Sequence, residues 1–217
     1  MDTTQYKQDF DRDGFVIIPQ FLSADELSVL TKETEQALES IRLKIRKVLT
    51  PDKNVGSIIK NMNKYNPWFS EQLTNGKHVP LIKALLDDEL DPANAAFFDR
   101  LPGELTGINP HFDAIGHRSK GATIWIALDK ADQENGCLYY VKGTHEQELE
   151  SKIGLDFTPE SPGATPVIVN PGDAAIHSAL CVHWSSANHS SRTRRAISYF
   201  YWAASSKTRV KKPRAKL

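Results

Sequence analysis

Residues 172–196 read GDAAIHSALCVHWSSANHSSRTRRA, and both the fold and the chemistry of the chain turn on them. Gly172-Asp173, after Pro171, turns the chain into a short β-rich run, Ala174–His177. A second run, Ala196–Trp202, starts where the stretch ends. Between them lie His183, Ser185 and the arginines 192, 194 and 195. Residues two apart on a strand project to one face, so Ser185 shares a cavity with His183, and Arg195 points away from Arg194. The planar fork of arginine grips a carboxylate through two parallel hydrogen bonds and never loses its charge, which makes Arg194 a candidate anion clamp. A surface cation is the alternative reading of Arg194, and Arg192 and Arg195 compete with it. His177, six residues before His183, faces the same side if the strand runs unbroken.

The β texture extends outward. Ala95–Phe98, Thr123–Leu128, Cys137–Val141 and Pro166–Val169 are β-rich, and Pro102-Gly103, Asn135-Gly136, Pro162-Gly163 and Pro171-Gly172 break the chain between runs. Several short strands with such breaks predict a β-sandwich or barrel. Towards the start, Phe15–Pro19 reads as a first strand. Ser23 to Glu26 is a capping box, S-x-x-E. Behind it Leu27, Leu30, Thr34, Ala37, Leu38, Ile41, Ile45 and Val48 recur at helical steps, so an amphipathic helix should run to just before Pro51. Residues 51–78 are broken and polar, with a short helix around Trp68 and Phe69, and Pro80–Leu86 is a further helix. No internal repeat or strong linker interrupts the chain. The expectation is one domain over 1–206, helical at about 20–90 and β-rich at about 93–204, then a basic tail at 207–217.

Length and composition narrow the classes. The 217 residues suit one domain with a real core, and 40% hydrophobic with 25% charged residues excludes wholesale disorder. No apolar run approaches the roughly 20 residues that span a bilayer. The opening MDTTQYKQDFDRDG lacks a secretory pattern, and Cys137 and Cys181 cannot build a disulfide framework, so a reduced, cytoplasmic setting is expected. Charge balances at 27 basic and 27 acidic residues, but the tail holds six of the basic ones and no acid. The body is therefore net acidic, which argues against broad contact with nucleic acid. The tail reads as a solvated, frayed terminus.

His111-Phe112-Asp113 supplies the rest of a possible metal site. On a strand, His111 and Asp113 share a face while Phe112 turns away. With His183 they make two imidazoles and one carboxylate. On one face of an octahedron that set leaves three positions open, which suits Fe(II) activating oxygen beside a chelating cosubstrate. H-x-D alone is a weak signal.

Four segments together are more specific: FDRDGFVIIPQFLSADEL (10–27), PHFDA (110–114), IWIALDKADQENGCLYYVKGTH (124–145) and HWSSANHSSRTRRA (183–196). In order and spacing they resemble the phytanoyl-CoA dioxygenase-like branch of the Fe(II)/2-oxoglutarate-dependent oxygenases. The resemblance implies a mainly β, double-stranded β-helix core (a cupin-like jelly roll) with N-terminal packing helices. It implies His111, Asp113 and His183 as iron ligands. Arg194 would grip the outer carboxylate of 2-oxoglutarate, with Ser185 beside it and Trp125 walling the pocket. With Fe(II), 2-oxoglutarate and O2 the implied reaction is hydroxylation of a C–H bond, with desaturation and ring formation left open. Three features depart from the usual pattern: Phe112 in place of glutamine, Lys142 in place of proline, and the run Phe97-Phe98-Asp99-Arg100, which lacks the lysine often found after two aromatics.

The loop after the metal pair, AIGHRSKG (114–121), carries His117, Arg118 and Lys120. At a pocket rim these attract an anion, so a small carboxylate, phosphonate or CoA-linked metabolite is the expected substrate. Monomer and homodimer are both open. A catalytically silent metal-binding jelly roll, a nucleic-acid oxygenase guided by the tail, and a hydrolytic metalloenzyme remain as alternatives. His145 is read as a turn anchor, His78 and His189 as loop residues, the cysteines as buried packing, and Asn188 as a brace behind the ligand strand.

Overall fold

The strand Gly121–Ala127 (GATIWIA) is buried along its whole length, as a strand covered on both faces must be. The structure, a computed structural model, describes residues 3–46, 58–114, 120–149, 151 and 154–206. Fourteen principal elements follow in order. They are α1 (Thr3–Asp13), β1 (Phe15–Ile18), α2 (Ala24–Arg46), β2 (Ile58–Lys60), α3 (Pro67–Asn75), α4 (Val79–Leu86) and β3 (Leu90–Arg100). Then come β4 (Ile108–His111), β5 (Gly121–Ala127), β6 (Leu138–Val141), β7 (Ala164–Pro166), β8 (Ala174–Ser178), β9 (His183–Ser185) and β10 (Arg194–Ala203).

The strands form two antiparallel sheets. One has six strands in the order β1-β8-β5-β10-β3-β2, and the other has four in the order β4-β9-β6-β7. This is the expected mainly β jelly roll. Side chains on the large sheet alternate cleanly between two cores. Val16, Ile18, Ile124, Ile126, Ile176, Ile197 and Tyr199 face the helices and join Leu30, Phe69, Ile82 and Leu85. Phe15, Trp125, Ala127, Ala175 and Ala196 face inward and meet Tyr139, Tyr140 and Val182 of the small sheet. The polar residues Thr123, His177 and Ser198 sit among these inward positions and are buried. A one-residue slip in register would exchange the two sets.

The helix starts behave as the sequence predicts. Ser23 N–H donates to Glu26 Oε2 at 2.8 Å and Glu26 N–H to Ser23 Oγ at 3.2 Å, so the capping box caps α2. Other boundaries differ. The charged opening segment folds as α1, anchored by buried Phe10. β1 forms the first strand expected at Phe15–Pro19, whereas β2 interrupts the part expected to be helical and joins the large sheet. β3 starts at Leu90, and the run at 166–169 pairs only over Ala164–Pro166, with Val169 making an isolated bridge to Ala131. Described α2 stops at Arg46, so the helix end expected before Pro51 lies outside the described residues, as does the tail at 207–217.

Candidate metal centre

β4 and β9 pair antiparallel with His111 opposite His183. Directly opposed residues hold their Cβ atoms about 5 Å apart, and the two imidazole centroids lie 4.3 Å from each other. Asp113 does not share the strand with His111, as its spacing suggests, because β4 ends at His111. It is carried by the following turn, which Ala114 N–H pins to Ala179 O at 2.9 Å. The outcome for the site is the same: His111, Asp113 and His183 each offer one ligand atom, all within 4.8 Å of one another. Phe112 turns away, towards a shallow cavity with Leu149 and Leu180.

The hydrogen bonds fix which ring nitrogens face the centre. His111 Nδ1 lies 2.8 Å from Asn109 O, and His183 Nδ1 lies 3.0 Å from Cys181 O. A carbonyl can only accept, so both Nδ1 atoms carry hydrogen and both Nε2 atoms present lone pairs. These Nε2 atoms stand 3.9 and 4.0 Å from Asp113 Oδ1. Burial, helped by His177 and opposed by Asp113, pushes His183 down to about 4, so the ring is neutral and basic at pH 7. Burial raises the Asp113 carboxyl, but His183, His177 and His111 outweigh it and hold the group below the usual carboxylate range. Two imidazole Nε2 atoms and an anionic carboxylate form a donor set that fits Fe(II). Asp113 and His111 keep 28% and 27% of their side-chain surface exposed, against 9% for His183, so the cluster opens on the β4 side.

Along the inner face of β5 the site continues into a second pocket. Thr123 Oγ donates to Asp113 Oδ2 at 3.2 Å. Two residues on, Trp125 is buried, and Arg194 Cζ stands 5.4 Å from the centre of its ring. Arg194 is 2% exposed, and its Nε donates to Gly136 O at 3.2 Å. Its Nη1 and the Trp125 Nε1 are buried without a partner among the described residues. Burial, then the nearby Arg100, lowers Arg194 to about 10, which leaves it charged at pH 7. An orphaned guanidinium nitrogen in a dry pocket asks for an anion. The rival arginines are satisfied elsewhere: Arg195 pairs with Asp129 at 2.9 Å and Arg192 with Asp132 at 2.9 Å. Gly136 has φ of +81°, and a Cβ there would lie 2.8 Å from Ser186 O, so the turn that meets Arg194 requires glycine.

Several residues escape the sequence reading. Arg100 sits opposite Arg194 in the β3–β10 register, and its Nη2 donates to Ser185 Oγ at 2.8 Å. The Ser185 hydroxyl is thus held by Arg100 and by Ile108 N–H at 3.2 Å. His177 joins the cluster, 4.3 Å from His183 by ring centroids, but its Nε2 approaches Asp113 Oδ2. Lys120 does not serve the anion-binding loop, because it pairs with Asp88 at 3.0 Å. His117 and Arg118 lie outside the described residues. His78 lies in the turn between α3 and α4, as expected, but it is 2% exposed and stacks on Tyr199. Asn188 braces the strand ends as expected, donating to Arg100 O and Arg192 O at 3.0 and 2.7 Å. His145 anchors its turn to the end of α1, with Nε2 3.0 Å from Asp11 O. Both cysteines are buried, and burial pushes their thiols up to about 11 for Cys137 and about 12 for Cys181.

Known proteins bear on this geometry. Residues 10–196 match the phytanoyl-CoA dioxygenase (PhyH) family. The phytanoyl-CoA dioxygenase domain-containing protein 1 homolog of Caenorhabditis briggsae is 21% identical over 88% of this chain and 87% of its own. The Danio rerio protein of that kind is 24% identical over 70% of this chain, which spans only 58% of it. The methylphosphonate hydroxylase of Gimesia maris is 25% identical over 93% of this chain and 82% of its own. Among solved structures, EctD from S. alaskensis with 2-oxoglutarate and 5-hydroxyectoine superposes with a TM-score of 0.81. It is 20% identical and covers 99% of this chain and 82% of its own. The epimerase SnoN, in complex with Fe3+, alpha ketoglutarate and nogalamycin RO, gives a TM-score of 0.72 at 19% identity, covering 93% and 84%. At these identities the structures speak for a shared fold. No helix among the described residues is long and apolar enough to cross a membrane. The family match, which takes in the cluster, the inner pocket and most of both sheets, decides the matter: the chain belongs to the phytanoyl-CoA dioxygenase family of Fe(II)- and 2-oxoglutarate-dependent oxygenases.

Proposed function

We propose that this chain hydroxylates a C–H bond of a small anionic metabolite, with His111, Asp113 and His183 holding Fe(II). Arg194 binds the distal carboxylate of 2-oxoglutarate against the Trp125 ring. Ser185 and Arg100 complete the polar wall. The observation that carries this reading is the buried, unpartnered Arg194 Nη1, reached along one strand face from Asp113 through Thr123 and Trp125. Bound iron supplies the oxidative chemistry, in which one O2 and one 2-oxoglutarate convert C–H to C–OH with release of succinate and CO2. The chain's own work is to orient. The Nδ1–H bonds to Asn109 O and Cys181 O aim two lone pairs, and Thr123 steadies the carboxylate. Tyr139, Tyr140 and Val182 close the inner side to water. His117 and Arg118, which follow Asp113 closely in the sequence, we assign to the substrate's anionic group. The match to a methylphosphonate hydroxylase supports that class. We take residues 1–206 as one catalytic unit, cytoplasmic, and monomeric or homodimeric, with no nucleic-acid partner.

The experiment is anaerobic addition of Fe(II) and 2-oxoglutarate to metal-free protein, followed by visible absorption. A weak metal-to-ligand charge-transfer band, absent in His183→Ala, is expected. Small phosphonates and carboxylates are then screened for substrate-dependent succinate release. Folded protein that binds iron and shows no band sinks the reading and moves the silent jelly-roll alternative ahead. Turnover of a neutral apolar compound, unchanged in Arg118→Ala, removes the anionic substrate alone.

A further inference from the structure

Three imidazoles converge on Asp113, and their hydrogen bonds are not alike. His111 and His183 each turn Nδ1 to a main-chain carbonyl. His177 turns Nδ1 to the Tyr140 hydroxyl at 3.1 Å. Tyr140 is fully buried, and burial drives its phenol well above its ordinary value, so it keeps its proton. No other acceptor for that proton is found among the described residues, and an unspent buried hydroxyl hydrogen is costly. Tyr140 O–H therefore donates to Nδ1, and the His177 hydrogen stands on Nε2. That Nε2 is buried without a hydrogen-bond partner among the described residues, and Asp113 Oδ2 stands 3.4 Å away as the acceptor it faces. The opposite tautomer would set a lone pair against a carboxylate oxygen and leave the tyrosine proton unspent.

The two oxygens of Asp113 are thereby divided. Oδ1 faces the lone pairs of His111 and His183, and Oδ2 faces the donors Thr123 Oγ and His177 Nε2. We propose that His177, its tautomer set by Tyr140, is a positioning residue that holds Asp113 to one-oxygen ligation. A carboxylate turned broadside would occupy a second coordination position. Holding back Oδ2 keeps three positions for a chelating keto acid and O2. This rests on the proposed assignment of the metal ligands and goes beyond it, since His177 is given a role outside the ligand set.

The test uses Co(II) alone, titrated into the metal-free full chain and read by visible absorption, so that it depends neither on 2-oxoglutarate nor on turnover. Removal of a group that orients a ligand typically weakens metal binding about 10- to 100-fold, and that loss is expected for His177→Leu. His177→Gln presents a donor at the Nε2 position and an acceptor to Tyr140, and should stay within about 3-fold of the native protein by the same reasoning. Tyr140→Phe leaves the ring but frees the tautomer, and should fall between the two. The intensity of the Co(II) d–d bands should also change in His177→Leu, because two-oxygen ligation alters the coordination number. Thermal unfolding of each metal-free variant identifies any misfolded one. If His177→Leu does not fold, the glutamine and phenylalanine variants decide. Native affinity and spectrum in both His177→Leu and Tyr140→Phe would overturn the proposal. So would a loss in His177→Gln as complete as in His183→Ala, which makes His177 a ligand. A native protein that binds Co(II) but gives no band with Fe(II) and 2-oxoglutarate defeats the proposed function and leaves the His177 result standing.

Discussion

Two histidine–tyrosine pairs stand back to back across the six-stranded sheet. On the helix side His78 Nε2 lies 2.7 Å from Tyr201 OH, among aromatic and aliphatic neighbours. On the inner side His177 Nδ1 lies 3.1 Å from Tyr140 OH, with Asp113 at its other nitrogen. In the first pair His78 stacks on Tyr199 and borders a cavity between α2 and α3. The second passes its polarity on to a carboxylate that faces two more imidazoles. The same two side chains are thus structural or functional according to what stands at the far nitrogen. The alternation of a strand suffices to keep the two settings apart: Ile176 and His177 are adjacent in sequence and belong to different cores.

The comparison can be broken most forcefully on the inner face. Arg194→Ala should weaken 2-oxoglutarate binding by at least about 30-fold, since losing a desolvated, hydrogen-bonded charge partner costs about 2 kcal/mol or more. Metal affinity without cosubstrate should barely change. Titrating the charge-transfer band with 2-oxoglutarate measures the first, and Co(II) titration the second. Equal losses in both would merge the two pockets that the inner face keeps distinct.

On the helix side the effect should be on stability alone. His78→Phe leaves the Tyr201 hydroxyl unpaired and should cost about 1–3 kcal/mol in chemical unfolding, with unaltered metal affinity. Its pH dependence sharpens the point. Burial lowers His78 to about 3 from an ordinary 6.5, so the unfolded chain takes up the proton first. The stability that the neutral ring confers is complete above about pH 6.5 and is lost as pH falls towards 3. His78→Phe should flatten the acid slope of that window, measured on metal-free protein. An unchanged slope would place the titration elsewhere.

The smallest effect belongs to the rim. Arg192 pairs with Asp132 and Glu134 in the open, with 44% of its side chain exposed. Exposed pairs of this kind contribute about 0–1 kcal/mol. Arg192→Ala should leave both stability and the 2-oxoglutarate titration close to native. A large loss of cosubstrate binding there would make Arg192, and not Arg194, the clamp.

Much of this arrangement is legible in the chain. The strands show themselves as apolar β runs between turn residues, while H-x-D alone is a weak signal and the proposed ligand trio stands out only through the resemblance of four segments to a known family. Alternation puts Arg194 and Arg195 on opposite faces, the resemblance picks Arg194 of the two, and the capping box locates α2. What stays hidden depends on register between distant segments. Thr123, Tyr140 and Arg100 look like ordinary strand residues. They reach the site only because β5, β6 and β3 bring them to Asp113, His177 and Ser185. Lys120 misleads for the same reason, since its partner Asp88 lies 32 positions earlier. His78 reads correctly as a loop residue, but its burial against Tyr199 and Tyr201 stays hidden because β10 is remote from it in the chain.

The opposition of His111 and His183 has a mechanical side. These residues are 72 positions apart in the chain, and β5, β6, β7 and β8 all lie between them. An ion held by both is a pin through the base of a long loop, closing it as a crosslink does and reducing the freedom of the unfolded chain. Stripping the pin should loosen most of that loop together, so a protease would find its first cuts between the two histidines.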